Sequence, residues 1–343
     1  MRKNFSHITQ AFMTGLVLWT FSSCEENITP ENSSEVQLSI DLPGNLDVET
    51  GPWTKADGDY VDASQYEGVR TLRIIVTSGP AESRTILYNQ KIDGLENLIT
   101  YTTTIPDLPH GSLSFYAIAN EESLGMEYND ETITSNLAEN HKLLFTDNAD
   151  PKHFPARGPD IVKNGIPMSG YTSVELTGDR SVTIDLYRSV VKLALVVENA
   201  TNSPVTLRKV SFGEFFGDRY YMFRDLTLDV PDGIQYTGMT YDNLSITIPG
   251  TQNADGEEPQ TQTLSAYFYP THPDFTEGNS PFTIGLETNN NIYKPLVFAS
   301  NTAYFIRNTQ VNLRARITTT MGVQLDFTVL GWDDRPVTVP PFE

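Results

Sequence analysis

The chain of 343 residues contains one cysteine, Cys24. A single thiol excludes a disulfide framework, so the fold must be held by apolar burial. Basic residues are scarce too: 23 Lys and Arg stand against 44 Asp and Glu, a formal charge of −21. A surface of that sign repels nucleic acid phosphates and anionic headgroups, which excludes both as partners. The five histidines, at 7, 110, 141, 153 and 272, form no His-x-x-x-His, Glu-x-x-His or Cys/His pattern, so no metal site is expected. Neither a Gly-x-Ser-x-Gly elbow nor a Gly-rich phosphate loop occurs. The run Asp255-Gly256-Glu257-Glu258 lacks the alternating ligand spacing of a calcium loop and reads as a polar hairpin tip. Acids are abundant enough to contain a glycosidase-type pair, but solvated surface carboxylates are the simpler reading. No enzyme and no cofactor are expected. Apolar runs are short as well, none reaching the ~20 residues of a membrane-spanning helix.

What is present begins at the amino terminus. Arg2 and Lys3 precede an apolar stretch from Ala11 through Phe21, which ends in Ser22-Ser23-Cys24-Glu25-Glu26. This is the three-part plan of a secretory signal over 1–23, with a cysteine at the cleavage point. The arrangement resembles a bacterial lipobox, in which the cysteine is diacylated and becomes the mature terminus. Loss of Arg2 and Lys3 would leave 44 acids against 21 bases, or −23. Glu25-Glu26 resembles the acidic export signal of Bacteroidetes surface lipoproteins, which places the chain at the outer membrane through a lipid on Cys24.

Beyond the signal the chain is written in strands. Glu35 to Leu42 alternates polar and apolar residues without a fault, which predicts a half-buried strand with Val36, Leu38, Ile40 and Leu42 inward. Thr71–Val76, Ser112–Ala119, Ser181–Leu186, Leu244–Ile248, Leu264–Tyr269 and Val311–Ile317 read the same way. Turn signals separate them at Ser78-Gly79-Pro80, Asp93-Gly94, Pro109-His110-Gly111, Pro231-Asp232-Gly233 and Pro249-Gly250. Helical periodicity is nearly absent, with a weak exception around Ser135 to Phe145. The chain is therefore all-β, and its length suits two β-sandwiches rich in Tyr and Phe. Val182 to Val197 is a β-rich run that would span some 50 Å as one strand. It reads better as a strand leaving one domain and entering the next, with Val190–Val197 central to the second. The boundary near Asp179 to Arg188 gives domains at 56–185 and 186–343, behind a leader at 24–55.

One charge is conspicuous by position. Between Lys3 and Arg70 the single Lys or Arg is Lys55, in an acidic loop punctuated by Gly and Pro. A protease selective for basic residues has one choice there, between Lys55 and Ala56, and the cut would release Cys24 together with the first strand.

Several stretches carry a family likeness. Ile166-Pro167-Met168-Ser169-Gly170, then Val182 through Leu193 with Arg188 and Lys192, are similar to that family's interdomain passage. Phe115-Tyr116-Ala117-Ile118-Ala119-Asn120, Tyr267-Phe268-Tyr269-Pro270-Thr271, Phe305-Ile306-Arg307-Asn308-Thr309 and the ending Val329-Leu330-Gly331-Trp332 follow in order. Together they resemble the two-domain fimbrial subunits of the Bacteroidales, the type V pilus fimbrillins with their anchor and accessory relatives. The resemblance implies two tandem transthyretin-like Greek-key β-sandwiches and a pilus subunit that contributes to adhesion. It implies export as a lipoprotein, removal of the leader and its first strand by a trypsin-like protease, and filling of the vacated groove by a strand from another fimbrial subunit. The best-known members are cut after Arg, whereas this chain offers Lys55. The tail offers Val337, Val339 and Phe342 as donor side chains, although Pro340 and Pro341 would interrupt a ladder. A retained fimbrial anchor and a surface glycan-binding lipoprotein are the alternatives.

Overall fold

The structure, a computed structural model, describes residues 33–42, 68–80, 83–95, 98, 100–124, 140–142, 164–223, 230–251, 260–299, 302–318 and 322–331. Those residues are all-β apart from short turns, the clearest a 3-10 turn at Glu121–Leu124. In the first half the strands are β1 (Ser33–Asp41), β2 (Thr71–Ser78), β3 (Thr85–Asp93), β4 (Thr100–Pro109), β5 (Gly111–Ala119), β6 (Asn140–Lys142), β7 (Met168–Leu176), β8 (Arg180–Asp185) and β9 (Tyr187–Arg188). The second half has β10 (Val191–Asn199), β11 (Val205–Gly217), β12 (Arg219–Tyr221), β13 (Tyr236–Tyr241), β14 (Ile246–Ile248), β15 (Gln260–Phe268), β16 (Thr283–Thr288), β17 (Leu296–Val297), β18 (Thr309–Ile317) and β19 (Val323–Gly331).

Two separate cores organise them. In the first sandwich a sheet ordered β4-β1-β8 faces one ordered β3-β2-β5-β7-β9. Its core runs from Val36 to Leu186 in sequence. In the second, β15-β10-β18-β19 faces β13-β11-β16-β17, with β14 also on β11. Its core runs from Val191 to Ile317 and centres on Phe215, Phe216, Phe268, Phe282 and Phe305. Phe215 and Phe216 stack at 4.3 Å, and Phe282 meets Phe305 edge-on at 4.8 Å.

The two sandwiches repeat one strand plan. β1 lies antiparallel to β4 and parallel to β8, and β10 lies antiparallel to β15 and parallel to β18. β2 is flanked by β3 and β5 as β11 is by β13 and β16. The second sandwich adds β19 beyond β18.

The run from Val182 to Val197 is broken at Leu186 and again at Ser189-Val190. Its three pieces join different sheets: β8 lies against β1, β9 against β7, and β10 between β15 and β18. No single strand bridges the cores, because each piece finds hydrogen-bond partners in its own sheet. β10 is buried on both faces at all but one position, as its largely apolar run, interrupted by Lys192, predicts. The helix expected around Ser135 to Phe145 is a strand where it is described. β6 pairs antiparallel with β12, from the second half, and this tertiary pairing overrides a weak local periodicity.

The passage between the cores is held by polar contacts. Arg307 Nη1 donates to Ser169 Oγ and to the Met222 carbonyl, each at 2.7 Å. The Arg188 backbone N–H and its Nη1 both donate to Asn308 Oδ1, at 3.4 and 3.5 Å. Arg188 is fully buried and Arg307 nearly so.

Candidate functional site: a groove filled by the first strand

β1 is nine residues long and alternates between the core and solvent. Val36, Leu38 and Ile40 are fully buried and Leu42 is 5% exposed, so all four lie inside the first core. Glu35, Gln37 and Asp41 face outward. A period of two on a strand with one wet face produces this split, and a slip of one residue would reverse it.

Neighbouring strands form the groove walls. From Val36 to Asp41, six residues, β1 is paired on both sides, with β4 and with β8. Leu38 stands between Thr103 and Val182, and Ile40 between Tyr101 and Ile184. The floor is the opposite sheet, which contributes Leu72, Ile74 and Val76 from β2 and Phe115, Ala117 and Ala119 from β5. Burying four aliphatic side chains at about 1.5–3 kcal/mol each stabilises the seated strand by about 6–12 kcal/mol, before conformational entropy is set against it.

Both ends of the strand are fixed. The Glu35 backbone N–H donates to Asp179 Oδ1 at 2.8 Å, in the turn before β8. Opposite, β4 has one extra residue between Ile105 and Leu108, with Asp107 at φ 57°. This bulge ends the regular ladder. At the other end the Leu186 N–H donates to the Asp41 carbonyl at 3.2 Å, and Thr100 Oγ1 donates to Asp41 Oδ1 at 3.3 Å.

From Gly68 onward the chain is clamped by a different set of residues. Asn120 Oδ1 accepts from the Arg70 N–H at 2.9 Å, and its Nδ2 donates to the Gly68 and Ile166 carbonyls at 3.0 and 2.8 Å. Asn120 sits at φ 55°, in the left-handed region that asparagine tolerates better than most residues. Beside it, Arg73 donates to both oxygens of Glu121 at 2.6 and 2.7 Å, and Lys91 pairs with Glu122. Burial alone would raise the Glu122 carboxyl, but Lys91, its own backbone N–H and the Thr71 hydroxyl outweigh it and hold the group below the usual range.

Lys55 and Ala56 fall between Leu42 and Gly68, outside the described residues, as do Cys24, Val337, Val339 and Phe342. The structure thus brings together Val36, Leu38, Ile40 and Leu42. The sequence assigned no role at the groove to Asp179, the Asp107 bulge or Asn120. The one available signal was Ala-Asn at the end of β5, whose role depends on φ and on contacts far away in the chain. Among the described residues no group of three His, Cys, Asp or Glu could hold a metal, and no helix is long and apolar enough to cross a membrane. Large exposed aromatics among them are Tyr171 and Tyr304, one in each half.

The fold is similar to that of solved Bacteroidales fimbrial proteins. The tip fimbrial protein Mfa3 of Porphyromonas gingivalis, in a C-terminally truncated form, aligns with a TM-score of 0.50 and 15% identity over 87% of this chain and 100% of its own. The fimbrilin FimA of Porphyromonas gingivalis W83 aligns with a TM-score of 0.51 and 11% identity over 87% of this chain and 97% of its own. No protein-family model and no curated protein sequence matches the chain. The likeness is therefore one of fold.

Proposed function

We propose that the protein is a non-enzymatic structural subunit of a cell-surface fimbria, built from two tandem transthyretin-like Greek-key domains at 56–185 and 186–343. In this reading the chain is exported, diacylated at Cys24 and held at the outer membrane. A trypsin-like protease cuts between Lys55 and Ala56, β1 leaves with the lipid, and a strand from another fimbrial subunit takes its place. The observation that carries the reading is the position of β1. It is a central strand with four buried side chains, yet its covalent link to the rest of the sandwich runs through the segment that contains Lys55. After a cut, Asn120 and its neighbours retain the new terminus from Gly68 onward, while β1 is held by non-covalent contacts alone.

Mass spectrometry of surface-assembled protein tests this directly. A terminus at Ala56 is expected in fibres, and Lys55→Gln should keep the chain acylated and unassembled. Fibres of normal length from Lys55→Gln would refute leader release. An intact acylated Cys24 in the wild-type assembly would instead make the chain a membrane-retained anchor.

A further inference from the structure

We infer that the groove left by β1 takes a proline-free, six-residue strand from another polypeptide and rejects residues 332–343 of this chain. The inference rests on the reading that β1 is released. Between Val36 and Asp41 the strand is paired on both sides, so successive backbone N–H groups alternate between β4 and β8 and none is spare. The requirement extends one residue further, because the Glu35 N–H is bonded to Asp179. A proline within that window removes a donor, leaves a carbonyl of β4 or β8 without its partner, and places a ring against a neighbouring strand. Each one weakens binding by about tenfold to a hundredfold.

Residues 332–343 read Trp-Asp-Asp-Arg-Pro-Val-Thr-Val-Pro-Pro-Phe-Glu, with prolines at 336, 340 and 341. Every window of six residues within them includes at least one proline. Side-chain alternation adds a second mismatch: with Val337 and Val339 inward, the next inward residue is Pro341, and Phe342 turns to solvent. The groove is shaped for the four aliphatic side chains of Val36, Leu38, Ile40 and Leu42. The partner strand therefore carries apolar residues of valine-to-leucine size at alternate positions and no proline between them. Copies of this chain do not polymerise through 332–343.

Four fluorescent peptides added to the purified chain after limited tryptic cleavage at Lys55 provide the test. They are 33–42, 33–42 with Gln37→Pro, 332–343, and 332–343 with Pro336→Thr, Pro340→Thr and Pro341→Val. Gln37 faces solvent, so its replacement removes a backbone donor without emptying a core position. The expected result is uptake of 33–42, at least tenfold weaker binding of its Gln37→Pro form, and at least hundredfold weaker binding of the natural tail. The proline-free tail should bind at least tenfold better than the natural one. Natural tail binding within tenfold of 33–42, or no effect of Gln37→Pro, overturns the inference and leaves strand release standing. A cleaved chain that never exchanges 33–42 overturns strand release, and the inference falls with it.

Discussion

Leu38→Ala measures how tightly the first strand is held. Leu38 is fully exposed to the core and not at all to solvent, at the middle of β1, and it lies between Thr103 and Val182. Truncating a buried leucine to alanine costs about 2–5 kcal/mol, with the upper end reached where the surroundings cannot collapse. Collapse is limited here, because β4 and β8 hold the strand at fixed spacing on both sides and the opposite sheet supports it from below. In the uncut chain the cost appears as a lower urea midpoint for the first sandwich. In the cut chain the same side chain is lost from a binding reaction, so the leader fragment should dissociate about 30- to 5,000-fold faster. The matched control is Gln37→Ala, next in sequence but facing solvent, which should change stability by no more than about 0.5 kcal/mol. Denaturation of the uncut variants and timed release of a fluorescent leader from the cut ones give two readings of one free energy. If Leu38→Ala and Gln37→Ala behave alike, β1 is not anchored through its inward face. If the uncut chain is destabilised while release stays unchanged, the strand leaves by a route that does not break these contacts.

Other substitutions examine the groove wall and the junction between the cores. A Cβ at Gly170 would lie 2.4 Å from the Asp185 carbonyl oxygen and 2.5 Å from Ile184 Cγ2, so Gly170→Ala should displace β8 and cost about 1–3 kcal/mol by urea denaturation. Because β8 is one wall of the groove, the same variant should also speed leader release after cleavage. Arg307→Met removes the donors to Ser169 Oγ and the Met222 carbonyl, and should cost about 1.5–3 kcal/mol, read as separate calorimetric transitions for the two sandwiches. Burial pushes the Tyr220 hydroxyl up to about 12, against the opposing effects of Ser189 and Arg307. Its folded value lies above the unfolded one near 10, so this contribution is intact below pH 10 and is lost as pH rises toward 12. The loss should reach about 3 kcal/mol in alkaline denaturation, and Tyr220→Phe should flatten it.

The legible parts of the fold were those written as local periodicity. The alternation from Glu35 to Leu42 identified the buried face of β1 residue by residue, since a strand with one wet face has a period of two. The run from Val190 to Val197, apolar on both faces but for Lys192, likewise marked β10 as a strand covered on both sides. What could not be read was pairing across long separations. Nothing local says that β1 runs parallel to β8, some 144 residues away at the Glu35–Asp179 contact, or that β6 pairs with β12 instead of coiling into a helix. Asp179 and Asn120 belong to the same class. Each is an ordinary turn residue whose task is assigned by a backbone that arrives from elsewhere. The Val182–Val197 run was legible as a passage between domains, but its breaks at Leu186 and Ser189-Val190 were not: three sheets compete for it, and only the assembled sandwiches decide where each piece stops.

The repeated strand plan shows what would let β1 be released, as proposed, while its counterpart in the second sandwich stays in place. β10 occupies in the second sandwich the position that β1 occupies in the first, antiparallel to one neighbour and parallel to the other. Covalently they differ. β10 follows β9 after two residues and reaches β11 through 200–204, a turn fastened by Asn199 Nδ2 donating to the Ser203, Ile248 and Pro249 carbonyls. Residues 193–207 contain no Lys or Arg, so a protease selective for basic residues has no target in that turn. Even a cut there would leave β10 tethered through β9 to the first sandwich. They differ in packing as well. β10 buries both faces, including Lys192 and Glu198, and Glu198 is further paired with Arg314 and Arg316. β1 buries one face and presents Glu35, Gln37 and Asp41 to water on the other. A strand with one buried face is held by roughly half the side chains of one buried on both, which brings its dissociation within reach once the chain is cut. On the proposed function the same architecture thus holds a permanent strand and a replaceable one, and the difference lies in burial on the second face and in the single lysine of the connecting segment.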